Sequence, residues 1–189
     1  EYGEVQTKQK NSFIFCSVPD RGLAVLADCY DELYRNIPGM TLTITSDYRL
    51  WGAYSPMNDQ YVRKFLGKPG VRFLGAVSRE QLIQEQKLAQ FHAYSCTYDE
   101  LFCYASAECQ VAGCYPISSS AGALDTTNMG KVIYGNPNSP EWKREFIDTV
   151  SKSANNPDIL GMAEDISNLA RERFSLGRIL QKWDKVFCG

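Results

Sequence analysis

Residues 98–119 read "YDELFCYASAECQVAGCYPISS": a loop, a helix of small residues and a strand in direct succession. Started near Phe102, the helix brings Tyr104, Ala107, Glu108, Val111 and Ala112 together on one inner stripe, at the i, i+3, i+4, i+7, i+8 spacing. Glu108 is thereby expected on a packed face beside Ala and Cys. An unpaired carboxylate there is costly, so it must meet hydrogen-bond donors. Two kinds satisfy it: a basic side chain such as Arg21 or Lys87, or the hydroxyls of a ligand. A vicinal diol suits the two carboxylate oxygens.

Similar units flank this one. "SFIFCS" (12–17) is a strand run, followed by an amphipathic helix in which Leu23, Leu26, Ala27, Tyr30 and Tyr34 recur at helical spacing. "TLTIT" (41–45) and "VRFLG" (71–75) are further strands, separated by a polar, aromatic loop and a short helix over "DQYVRKFLG". "SREQ" (78–81) is a capping box, with Ser78 at the cap and Gln81 three residues on, opening a helix to about Ala89. "FHAYS" (91–95), "CYPISS" (114–119) and "GKVIYG" (130–135) complete the strands, and from Pro140 the pattern is helical. Strands alternating with helices mark βαβ units. The expected fold class is α/β: a doubly wound, Rossmann-like parallel sheet with helices on both faces and a helical C-terminal tail. Residues 1–11 read as a linker from an upstream domain, 12–173 as the Rossmann-like domain and 174–189 as a closing helix.

The 189 residues fit one domain with a full core. With 44% hydrophobic and 22% charged residues the composition is that of a globular protein. A net charge of −2 gives no electrostatic case for nucleic acid or an anionic membrane. No apolar run approaches the roughly 20 residues of a membrane span. The seven cysteines (16, 29, 96, 103, 109, 114 and 188) form no CxxC pair, and His92 is the single histidine. No metal is therefore expected, and the thiols read as reduced and buried, as in a cytoplasmic protein. Cys103 has no activating His or Asn near it in sequence. His92 reads as a satisfied core or surface imidazole, and Trp51, Trp142 and Trp183 as packing residues.

Ligands of doubly wound sheets bind beyond the carboxyl ends of the strands. In "SVPDRGL" (17–23), Asp20 is placed at the helix cap and Arg21 in the first turn. A cation there costs a few tenths of a kcal/mol unless an anion occupies the same end. Gly22 leaves the approach clear. Pairing of Arg21 with Asp20, or extension of its side chain into solvent, is the other option. Glu100 and Glu108 stand roughly 12 Å apart if the segment is helical throughout. That matches the span from a ribose, across a diphosphate, to a sugar. The amides of Leu101, Phe102 and Cys103 would lie beneath the diphosphate.

The stretch "YDELFCYASAECQVAGCYPISSSAGAL" resembles the E-x7-E region of retaining glycosyltransferases with the GT-B fold, in the glycogen-synthase-like group, glycosyltransferase family four. Glu100, Phe102, Glu108, Ala112-Gly113 and Pro116 fall in register. "VRFLGAVSREQL" is similar to that family's V-x-F-L-G-x-V-x-x-E-x-L segment, "PDRGL" to its phosphate loop and "FSLGRILQKWDKVF" to its closing Trp-containing helix. The resemblance runs from about residue 12 to 188. It implies one half of a GT-B fold, which binds the nucleotide-diphosphate sugar donor of glycan biosynthesis without a metal or cofactor. The partner it implies is an N-terminal acceptor-binding domain of the same full-length protein. By position, Glu108 would bind the ribose hydroxyls, Glu100 and the following amides the donor sugar, and Arg21 the diphosphate. Backbone around Phe73, Leu74 and Gly75 would border the base. Glu100 and Arg21 are the implied catalytic residues. Three positions depart from the pattern. Cys103 stands where Gly is usual, Cys109 where Ala is usual, and Ser17 where an Arg often sits, leaving Arg21 with help from Lys64 or Lys68.

Other readings of the same scaffold are a non-hydrolysing sugar-nucleotide epimerase half, a non-catalytic nucleotide-sugar-binding module, and a flavodoxin- or receiver-like signalling domain. The last would want an acidic cluster at the strand ends, which is not seen.

Overall fold

The computed structural model describes residues 2–52 and 55–188, without the side chain of Trp51. The outermost residue of each terminal segment, Glu1 and Gly189, and the Trp51 ring lie outside the described residues. Six strands form a parallel sheet: β1 (Ser12–Phe15), β2 (Thr41–Ile44), β3 (Val71–Phe73), β4 (Phe91–Tyr94), β5 (Tyr115–Ser119) and β6 (Lys131–Ile133). Their spatial order is β3-β2-β1-β4-β5-β6. The helices are α1 (Leu23–Asn36), α2 (Asn58–Phe65), α3 (Arg79–Leu88), α4 (Tyr104–Val111), α5 (Leu124–Thr127), α6 (Pro140–Ala154), α7 (Ile159–Arg173) and α8 (Leu176–Phe187). Helices α1, α2 and α6 pack together on one face of the sheet, and α3, α4 and α7 on the other. The doubly wound α/β fold expected from the alternating pattern is the fold observed.

Strands β1, β4 and β5 are buried at every position, because both faces are covered. Phe13 of β1 stacks on Phe91 of β4 at 4.8 Å between ring centroids, and Trp142 stacks on Phe146 at 4.9 Å below β6. Pro116 sits inside β5 without breaking the ladder. Tyr115 donates its N–H to Gln90 O on the β4 side, so the missing N–H of Pro116 faces β6. Pairing with β6 begins only at Ile117. The capping box is real in its first half: Ser78 Oγ accepts from Gln81 N at 3.2 Å.

Tyr2, Gly3 and Lys8 of the N-terminal segment bond to the rest of the domain. Tyr2 Oη donates to Gln86 Oε1 at 2.6 Å. Lys8 Nζ donates to the carbonyls of Gln86, Lys87 and Ala112 at 3.3, 2.9 and 2.7 Å, where α3 and α4 end and their orphan carbonyls want a cation. Arg171 of α7 adds bonds to Gly3 O and Val111 O at 2.6 and 2.9 Å. At the other end α8 has no buried residue. Trp183 is 60% exposed, against the packing role expected for it, whereas Trp142 is buried at 2%. Among the described residues no helix is long and apolar enough to cross a membrane.

Candidate functional site

In this strand order β1 and β4 are neighbours whose following helices, α1 and α4, lie on opposite faces, which opens a crevice beyond their carboxyl ends. The two loops are locked together. Gly22, with φ +102°, is the N-cap of α1, and a Cβ on it would meet Ser95 O at 1.9 Å. Ser95 Oγ donates to Gly22 O at 2.9 Å. The missing side chain of Gly22 admits the backbone after β4. Arg21 consequently precedes the helix instead of standing in its first turn, because the cap is Gly22 and not Asp20.

A cleft of about 460 Å³ lies at this point. Ser17, Arg21, Glu100, Cys103 and Glu108 line it, so five separated positions singled out from the sequence share one hollow. Cys16, Val18, Leu50, Tyr94, Tyr104 and Ala105 complete its wall. Leu101 and Phe102 border a second recess of about 370 Å³ that shares Arg21, Glu100, Cys103 and Tyr104 with the first. Phe73, Leu74 and Gly75 line neither. Gly75 packs beside Asp47 and Arg49 at the end of β3. Lys68 is engaged elsewhere, paired to Asp31 at 2.6 Å, and neither it nor Lys64 lines the cleft.

Glu100 is fixed by its backbone and by one carboxylate oxygen. Its carbonyl accepts from Ala123 N at 2.7 Å, and it bridges to Gly122 in the loop after β5. Tyr94 Oη donates to Glu100 Oε1 at 2.9 Å and lies 3.2 Å from Ser17 Oγ. Cys96 Sγ approaches the same oxygen at 3.6 Å, and Arg21 Nη1 stands 3.6 Å from it. Among the described residues nothing is bonded to Oε2. Burial pushes the Tyr94 phenol far above its ordinary pKa, so it remains a donor. The Arg21 guanidinium also lies over the Tyr98 ring at 4.9 Å. Tyr94, missed from the sequence, ends a buried strand at the carboxyl edge, and that position was the legible signal.

Helix α4 begins two residues later than expected, at Tyr104, with Cys103 at its N-cap. The first-turn amides therefore belong to Tyr104, Ala105 and Ser106, not to Leu101, Phe102 and Cys103. Among the described residues no oxygen-bearing side chain caps them, and only the Cys103 sulfur faces the Ser106 N–H. Cys103 adopts φ +65°, the left-handed region that favours glycine, at the very position where the resemblance expects Gly. Its buried thiol is held in the protonated form by desolvation, then by Glu100, which fits the absence of an activating partner.

The inner stripe is also rotated from expectation. Ser106, Ala107, Cys109 and Gln110 are buried, and Tyr104 is 75% exposed. Contacts with β5 on one side and α7 on the other bury more than one stripe of this helix. Glu108 is half-buried at the rim and carries a protein partner. Arg79 Nη2 lies 2.8 Å from Oε1, and Arg79 Nη1 donates to Oε2 at 2.9 Å. The basic neighbour is Arg79 at the start of α3, neither Arg21 nor Lys87. His92 is also unlike its expectation. It is fully buried, and among the described residues its ring nitrogens face no polar partner beyond the Cys16 thiol.

No protein-family model and no curated protein matches the sequence. Solved structures do. The chain is 18% identical to HepE of Anabaena in complex with UDP-glucose, with a TM-score of 0.73, over 95% of this chain and 49% of that one. A glycosyltransferase of Rickettsia africae gives 16% identity and a TM-score of 0.74 over 95% and 48%. The C-terminal domain of LpcC, a group 1 glycosyl transferase of Francisella tularensis, gives 12% and 0.70 over 89% and 88%. The fold is that of a GT-B half. The chain thus spans about half the length of the first two proteins but most of the isolated LpcC domain.

Proposed function

We propose that this GT-B half is the donor-binding part of a retaining, metal-independent glycosyltransferase related to family four, which moves a sugar from a nucleotide-diphosphate sugar to an acceptor. The observation that carries the reading is the single cleft at the β1–β4 crevice, walled by Ser17, Arg21, Glu100, Cys103 and Glu108. HepE, a structural neighbour, was solved with UDP-glucose, which supports a nucleoside-diphosphate sugar as the ligand class.

The roles follow from chemistry at that site. Arg21 and the start of α4 stabilise charge on the departing diphosphate, where fixed dipoles act most strongly. Glu100 Oε2 accepts from a hydroxyl of the transferred sugar while Tyr94 and Arg21 hold the other oxygen in place. Glu108 accepts from the ribose diol through its remaining lone pairs while its ion pair with Arg79 persists. Residues 12–173 form the donor domain. The acceptor site and a second Rossmann-like half belong to the full-length protein, so this chain alone binds donor and transfers nothing. The six buried cysteines, all unpaired, support a reducing compartment such as the cytoplasm.

Isothermal titration with UDP-, GDP- and ADP-sugars tests the reading. A saturable heat with at least one of them is expected, weakened in Arg21→Ala. Flat traces for the whole panel would overturn it. Incubating the full-length protein with donor and analysing the products separates transfer from epimerisation.

A further inference from the structure

Three residues far apart in sequence meet on the α3/α4 face of the sheet. Cys16 follows β1, His92 lies in β4, where it flanks Ile14 of β1, and Cys109 projects from α4. Their Sγ and imidazole nitrogen atoms all lie within 4.8 Å of one another. The two sulfurs are 3.5 Å apart. His92 is 0% exposed, and among the described residues its ring nitrogens face no polar partner beyond the Cys16 thiol, so the imidazole and the sulfurs depend on one another.

We propose that Cys16, His92 and Cys109 form a buried site for one zinc ion. A tetrahedral zinc with bonds of about 2.3 Å to sulfur and 2.0 Å to nitrogen holds its ligand atoms about 3.5–3.8 Å apart, so the observed cluster closes on the ion with small side-chain shifts. Binding releases the two thiol protons and leaves the imidazole neutral, so Zn²⁺ and two thiolates sum to zero charge. That balance suits a site with no exposed histidine surface, where a net charge is costly. A monovalent soft ion such as Cu(I) would leave one negative charge in the core. Gln86 Nε2 points at Cys16 Sγ from 3.6 Å and is itself fixed by Tyr2, which supplies an outer-shell donor to the thiolate. Cys16 also lines the 460 Å³ cleft, so one of the three ligands faces a hollow that opens to solvent. The ion would tie β1, β4 and α4 together directly beneath the donor site. The inference stands independently of the proposed activity.

The test uses the whole chain in a Cys188→Ser background, which removes the one exposed thiol among the described cysteines. The protein is reduced, stripped with a chelator, and titrated with zinc chloride. One zinc per chain is expected by native mass spectrometry, with a melting temperature higher by about 5–10 °C at a hundredfold excess over Kd. Cobalt(II) in place of zinc should show thiolate-to-metal charge transfer. Cys109→Ser should weaken zinc binding more than tenfold, whereas Cys29→Ala, buried on the other face, should not. Should Cys109→Ser fail to fold, the cobalt spectrum of the parent protein still decides. No zinc above background, a cobalt spectrum without thiolate bands, equal zinc affinity in Cys109→Ser, or Cu(I) retained in preference to zinc would overturn the proposal. A loss of two mass units, marking a Cys16–Cys109 disulfide in place of bound metal, would overturn it as well.

Discussion

Replacing Glu108 by Ala separates a carboxylate that binds ligand from one that only closes an ion pair. The pair with Arg79 is bidentate at 2.8 and 2.9 Å, but the side chains remain 24% and 40% exposed. An ion pair of that exposure stabilises the fold by about 1 kcal/mol. Its loss lowers the melting temperature of a chain this size by about 3 °C. The effect on donor affinity is larger. Two hydroxyl hydrogen bonds to a charged acceptor, less the water they displace, amount to about 2 kcal/mol, or roughly thirtyfold in Kd. Arg79→Met removes the same ion pair and leaves the carboxylate in place. It should lower the melting temperature at least as much, because Arg79 also lies over the Tyr2 ring at 5.7 Å and has a further contact, yet change Kd less than threefold. The assay is calorimetric titration of all three proteins with the sugar nucleotide that binds the parent. If Glu108→Ala binds within threefold of the parent, or Arg79→Met weakens binding as much as Glu108→Ala, Glu108 serves the fold alone and the diol assignment is wrong.

Gly22→Ala should cost at least about 3 kcal/mol by urea denaturation, because the new methyl meets Ser95 O at 1.9 Å in a left-handed backbone. At Cys103, with φ +65°, glycine relieves about 1 kcal/mol of backbone strain and forfeits about as much buried packing, so Cys103→Gly should fall within about 1 kcal/mol of the parent. Cys103→Val, branched at Cβ, should lose about 2 kcal/mol or more in the same assay. Hydrogen bonds from Arg49 hold Asp47, 5% exposed, below the ordinary carboxylate pKa, against the opposing effect of burial. A lowered folded-state pKa stabilises above the unfolded value of about 3.9, and that contribution is lost as pH falls through the lowered value. Asp47→Asn should therefore be about 1 kcal/mol less stable at pH 7, with the gap closing below about pH 4 in pH-dependent denaturation.

Local chemistry was enough to read the strands and most of the helices, because hydrophobic runs, Ser78 and Pro140 report conditions their own neighbours satisfy. It was also enough to mark Arg21, Glu100 and Glu108, since a charge in an apolar pattern needs an explanation wherever the chain goes. It did not reveal α5 (Leu124–Thr127), too short for a periodic signal, or the start of α4, where Cys103 takes a backbone conformation its identity disfavours. Partnerships were beyond its reach. Arg79 meets Glu108 across 29 residues and Cys16 meets Cys109 across 93, distances at which no spacing rule operates. A doubly wound sheet brings such positions side by side by its strand order, so which acid is paired and which sulfurs touch was fixed when β1 and β4 became neighbours. The charge on Glu108 was written in the chain, and the identity of its mate was a consequence of packing.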